Sequence, residues 1–171
     1  EKESMILYYQ PQIKIKNNKS QIVGMEALVR WNSDKIIPPN DFIPLAEETG
    51  LIIPLGEWIL AKVLEQMKIW EKDSIKKEWQ VSVNISYKQF EKNDFLDLLK
   101  SLIEKYEINP NKLKLELTES LLIKNTQENL NKIKEIKVDG KITLLETLEL
   151  LSIMSNHTDV VPLIRPLNLV L

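Results

Sequence analysis

The feature that most constrains this chain is the alternation of strand-like and helix-like segments after its first thirty residues. Met5–Lys16, "MILYYQPQIKIK", is β-rich and alternates toward its end. A polar turn, "KNNKSQ", separates it from a second strand over residues 22–31, so the two pair as a hairpin. "NSDKIIPPN" reads as a loop, and Asp41 is placed to cap a short helix over residues 42–49 that Gly50 ends. Pro54 opens a longer helix over residues 55–71, with Ile59, Val63, Met67 and Trp70 on one face. A strand follows at 79–85, with Ser86 as the next cap, then a helix at Phe95–Tyr106 and a strand at 113–120. Asn125 or Thr126 caps a last helix running to residue 136. This order predicts an α/β fold of parallel strands joined by helical crossovers, entered through an antiparallel hairpin.

Composition limits the chemistry. A chain of 171 residues defaults to one domain. Charged residues make 28% but the net charge is only -2, so no global field favours DNA or RNA. Without cysteine there is no disulfide framework, thiolate metal site or thiol nucleophile. His157 is the single histidine, which argues against a histidine metal cage or a Ser-His-Asp triad. Oxygen ligands are left, and they favour hard ions such as Mg2+ or Mn2+. No apolar run is long enough to span a bilayer and no signal peptide is visible, so the expected location is cytoplasmic. The charged opening "EKESMILYYQ" reads as the tail of a linker, so a longer parent protein is expected.

Three apolar strands carry a polar side chain near their C-terminal ends: Glu26, Asn84 and Glu116. In an α/β barrel those ends converge on one mouth. Two carboxylates and an amide there would form an all-oxygen cation site, and the cation would offset the cost of burying the carboxylates. Arg30, four residues after Glu26, falls on the same strand face with a fork suited to phosphate. The plainer alternative stays open at this point: a strand-end glutamate pairs with a lysine or arginine, and Asn84 bonds a loop.

The segments "YYQPQI", "EALVRW", "FIPLAEETGLI", "SVNIS" and "ELTES", in this order and spacing, closely resemble the EAL family over about residues 5 to 144. These are bacterial phosphodiesterases that hydrolyse cyclic di-GMP, and the signature triplet here is Glu26-Ala27-Leu28. The resemblance implies a TIM-type (β/α) barrel with an antiparallel first strand. It also implies metal ligation by Glu26, Asn84 and Glu116, phosphate contact by Arg30, and nucleotide contact by Leu28. Gln10 matches the pocket glutamine of the first strand, and Glu119 a glutamate that braces a loop after a later strand. The implied chemistry is hydrolysis assisted by Mg2+ or Mn2+, giving linear pGpG. A homodimer through the barrel and an upstream sensory domain are further expectations of the family.

The resemblance stops after Leu144. There the family continues with an aspartate pair and "FGTGYSSL", whereas this chain reads "LETLELLSIMSNHTDVVPLIRPLNLVL". The metal-bridging aspartates and the "KID" lysine that would hold the attacking water have no counterpart. The expected division is therefore residues 1–144 as the N-terminal part of the domain and 145–171 as a divergent tail. A complete TIM barrel takes about 250 residues, so the barrel expected here is incomplete. Glu146 and His157 read as surface residues rather than substitutes for the missing groups. Little or no turnover is expected of this chain; the alternative is a degenerate module that binds cyclic di-GMP, or a partner protein, without catalysis. The segment "PLIRPLN" matches a family-like "PIDTLK" read one base out of frame, so the tail is expected to be a frameshift product. Sequencing the locus should find an alternative frame encoding "DDFGTG" and "KID"; absence of such a frame would refute that origin.

Overall fold

The computed structural model describes residues 4–16, 18–117 and 143–145. Two strands open the chain, β1 (Met5–Lys16) and β2 (Lys19–Asn32), and pair antiparallel as expected. A two-residue strand, β3 (Ile36–Ile37), lies inside the stretch that the sequence suggested was loop, and pairs with the end of β2. Helices α1 (Pro39–Thr49) and α2 (Ile52–Trp70) come next, then β4 (Gln80–Ile85), α3 (Tyr87–Phe90), α4 (Phe95–Tyr106) and β5 (Leu113–Leu117). A last described strand is β6 (Thr143–Leu145). Among the described residues the sheet runs β1-β2-β4-β5-β6, with β2, β4, β5 and β6 mutually parallel. This is an incomplete TIM-type barrel whose first strand runs antiparallel. The helix expected after Asn125 lies outside the described residues.

Alternation along the strands decides which face is which. Met25, Ala27 and Val29 of β2, Val81, Val83 and Ile85 of β4, and Leu113, Leu115 and Leu117 of β5 are all buried. All of them but Met25 form one core with Leu60, Val63, Leu64, Met67 and Leu99 of α2 and α4. The positions between them, Glu26, Leu28 and Arg30, Ser82 and Asn84, and Lys114 and Glu116, therefore share the opposite face, which is the inner face of the barrel.

Two helix starts differ from expectation for a simple reason. Helix α1 begins at Pro39, with extended Pro38 as its cap, so Asp41 sits in the first turn and caps nothing. Proline suits the first helical position because its fixed φ is already helical and its missing N–H is not needed there. Gly50 does end the helix, with φ 78° in the left-handed region. Helix α2 starts three residues earlier than its apolar stripe suggested and ends at Trp70. Gly24, at the base of the inner face, is dictated by packing: a Cβ there would lie 2.5 Å from the Gln80 carbonyl oxygen.

Tyr9, on the helix side of β1, stacks edge-on against Trp70 with ring centroids 4.9 Å apart. Its hydroxyl is pushed up to about 12, first by burial and second by the charge of Glu65. The folded chain keeps this phenol neutral between pH 10 and about 12, where the unfolded chain ionises it. The contribution is complete below pH 10 and is lost as pH rises through about 12. Urea unfolding at several pH values should show a shallower alkaline loss of stability for Tyr9→Phe than for wild type; parallel curves would contradict this assignment.

Candidate functional site

The inner face collects the polar residues that the sequence singled out. Glu26 sits opposite Gln10 across the hairpin, Leu28 opposite Tyr8, and Arg30 opposite Ile6. Asn84 is level with Glu116 in the β4–β5 pair. Asn84 Nδ2 donates to Glu26 Oε1 at 2.9 Å, so two of the three polar groups touch directly, although Glu26 sits in the middle of β2 rather than near its end. The third, Glu116, lies one strand beyond Asn84 on the same face. Strands in a sheet are about 4.8 Å apart, which puts the β2 and β5 backbones roughly 10 Å from one another with Asn84 between them. Below this row Gln12 Nε2 donates to the buried Ser82 Oγ at 3.1 Å and closes the floor of the face.

A cleft of about 600 Å3 opens beside the row, lined by Leu28, Asn84, Ser86, Gln89, Pro39 and Ile43 among others. Its cause is visible in the register. Strand β2 pairs with β4 only from Gly24 to Ala27, and further along its edge is taken by β3 at Trp31. The two parallel strands part after Ala27, and α1 covers the gap. A concave, mostly apolar pocket with a few convergent polar groups is the usual form of a ligand site.

Arg30 reaches neither Glu26 nor Asn84. Its Nη1 donates to the Val29 carbonyl at 2.8 Å, and its guanidinium carbon is 5.8 Å from the centroid of the Tyr8 ring. The sequence marked Arg30 but not Tyr8, whose exposed aromatic face directly supports it. The sequence also gave no weight to Gln89, which is buried at the back of the cleft. Gln10 is exposed on the inner face beside Glu26. Glu119, Glu146 and His157 lie outside the described residues.

The donor set fits a hard divalent cation. No group of three or more His, Cys, Asp or Glu gathers among the described residues, so a cation here would need the Asn84 amide oxygen beside Glu26 and Glu116. Three protein oxygens suit an ion such as Mg2+, which keeps several waters or takes substrate oxygens to complete six. No helix among the described residues is long and apolar enough to cross a membrane.

Comparison with known proteins places this partial barrel, with acidic and amide oxygens on neighbouring parallel strands, in a family. The family matched, described as "EAL domain", covers residues 1–145, and the chain belongs to that family. The chain is 38% identical over 138 residues to the signaling protein YkoW of Bacillus subtilis, covering 80% of this chain. It is 33% identical over 142 residues to the bifunctional diguanylate cyclase/cyclic di-GMP phosphodiesterase MucR of Pseudomonas aeruginosa, covering 82%. The chain spans only 16% of the former and 20% of the latter. A solved structure described as the PaMucR phosphodiesterase in complex with c-di-GMP superposes with a TM-score of 0.75 at 31% identity, covering 82% of this chain and 56% of that one. The EAL enzyme Bd1971, in its cAMP- and cyclic-di-GMP-bound form, gives 0.76 at 29% identity, covering 88% and 43%.

The contact between Asn84 and Glu26 can be tested through charge. Asn84→Asp would set a second carboxylate against Glu26, and two carboxylates that close resist ionising together. The pair's folded-state titration would rise, so the cost should be large at pH 7 and relieved as pH falls toward 4. Thermal melts without added metal should show a larger deficit against wild type at pH 7 than at pH 4. Equal deficits would show that the two side chains do not meet.

Proposed function

We propose that this chain is the N-terminal part, residues 1–144, of an EAL domain in a longer cyclic di-GMP signalling protein. The complete domain hydrolyses cyclic di-GMP to linear pGpG with Mg2+ or Mn2+; the chain alone binds cation and nucleotide with little or no turnover. The observation that carries this reading is the single row of Glu26, Asn84 and Glu116 on the inner face, tied by the Asn84–Glu26 hydrogen bond. The family match ending at residue 145, beside the divergent tail, supports the boundary. The short span of the relatives covered by this chain supports a parent protein with further domains, such as a sensory domain upstream.

In this reading Glu26, Asn84 and Glu116 hold the cation. Bound there, a divalent ion would polarise the phosphodiester and lower the pKa of a water. The protein's own residues do the rest. Arg30 leaves the Val29 carbonyl and closes on a phosphate oxygen, a stronger charge-assisted bond than the neutral one it gives up. Tyr8 keeps the guanidinium on the inner face while it turns. Leu28 packs against the nucleotide in the cleft beside β4, and Gln10 offers an amide at the level of Glu26. Glu119 would take the part of the family glutamate that braces the loop after the next strand. The aspartate pair that bridges the metals in the family and the lysine that holds the attacking water are not matched in the sequence after Leu144, which is why turnover is not expected.

The test is incubation with cyclic di-GMP and Mn2+, followed by both calorimetry and chromatography. Binding heat without pGpG is expected, and Arg30→Ala should weaken binding about tenfold or more, the loss of one charge-assisted phosphate contact. Appearance of pGpG would overturn the inactivity of the chain. Absence of heat with the folded protein would remove the nucleotide site itself.

A further inference from the structure

Asn84 lies where β4 loses its pairing with β2. Parallel pairing between β2 and β4 ends at Ala27 and Val83, one residue before it. On the β5 side pairing continues through Asn84 and Ile85. Toward β2, the Asn84 side chain reaches across to Glu26 beyond the last paired residues. Where that side chain goes depends on how β4 leaves the sheet, and the chain turns at Ser86.

Ser86 is fixed by Gln89. The Gln89 N–H donates to Ser86 Oγ at 3.3 Å, while Gln89 Oε1 accepts from the Ser86 N–H at 3.2 Å and from its hydroxyl at 3.0 Å. This reciprocal pair is a capping box for α3. Such caps usually sit at the surface, yet here Ser86 is 6% and Gln89 5% exposed. The reason is α2. A Cβ on Gly56 would lie 1.6 Å from Gln89 Nε2 and 2.1 Å from its Cδ, so the glutamine amide is seated on the helix backbone where only glycine leaves room. Glycine inside a helix costs stability relative to alanine. Its place inside α2 is explained by this contact.

We propose that Gln89, seated on Gly56, is a positioning residue for Asn84: it locks the end of β4 to α2 so that the Asn84 amide meets Glu26. The role in cation binding rests on the reading of Asn84 as a ligand given above; the positioning itself does not. Rigid contact passes from the helix through Gln89 to Ser86 and on to Asn84. Groups that orient metal ligands in this way alter affinity without touching the ion.

The test is a cycle of Gly56→Ala, Gln89→Ala and both together in the full chain, at temperatures well below unfolding. Two readouts are taken: the side-chain amide resonances of Asn84 without metal, and the affinity for Mn2+. Each single variant should shift the Asn84 amide pair and weaken Mn2+ about tenfold to a hundredfold. The double variant should match Gln89→Ala alone, because alanine at 56 has nothing left to displace. Additive effects, or an unmoved Asn84 amide in folded variants, would overturn the proposal. If Gly56→Ala does not fold, Gln89→Ala carries the test, since it removes the contact without a clash. If wild type binds no Mn2+, the ligand reading fails while the amide resonances still decide the positioning.

Discussion

Burial of one face of the sheet under α2 and α4 is the interaction on which everything else depends. Side chains on a strand alternate, so packing Val81, Val83 and Ile85, with Leu113, Leu115 and Leu117, against the helices leaves Asn84 and Glu116 no choice of face. The same holds for Glu26 between Met25 and Ala27. A slip of one residue in any strand would carry its functional group into the apolar core and expose its core set. The register that aligns the three polar groups is thus enforced by hydrophobic packing on the other side of the sheet. The energetics of folding and the geometry of the site are one constraint seen from two faces.

Much of this was readable from the residues. Strand β1 and helix α4 have the limits the sequence suggested: a polar turn closes β1, and Tyr106 is followed by the left-handed Glu107. Ser86 caps the next helix because serine three residues before glutamine can make both halves of a capping box. Asp41 failed as a cap because Pro39 competes for the helix start and wins through its fixed φ. The two residues of β3 were not readable: two isoleucines between polar residues and prolines carry no period, and they pair only because β2 has already left β4.

The site was legible as residue types but not as geometry. That Glu26, Asn84 and Glu116 share a face follows from alternation, while the direct bond from Asn84 to Glu26 is a product of tertiary packing. Arg30 was placed on the correct face, yet its seat on the Tyr8 ring and the Val29 carbonyl depends on cross-strand neighbours that one-dimensional spacing cannot rank. The buried seat of Gln89 on Gly56 joins residues 33 positions apart on two elements, and no local pattern announces it. The cleft likewise arises from where pairing ends rather than from any motif.

The central claim is that side chains 26, 84 and 116 make one oxygen site for a divalent ion. Titrating substoichiometric Mn2+ into isotope-labelled protein tests it most directly, because a bound paramagnetic ion broadens nearby amide signals steeply with distance. Signals from β2, β4 and β5 around these three residues should vanish first and together. Early loss instead at exposed acids, such as Glu65 on α2 and Glu71 just after it, with these strands left sharp, would contradict it.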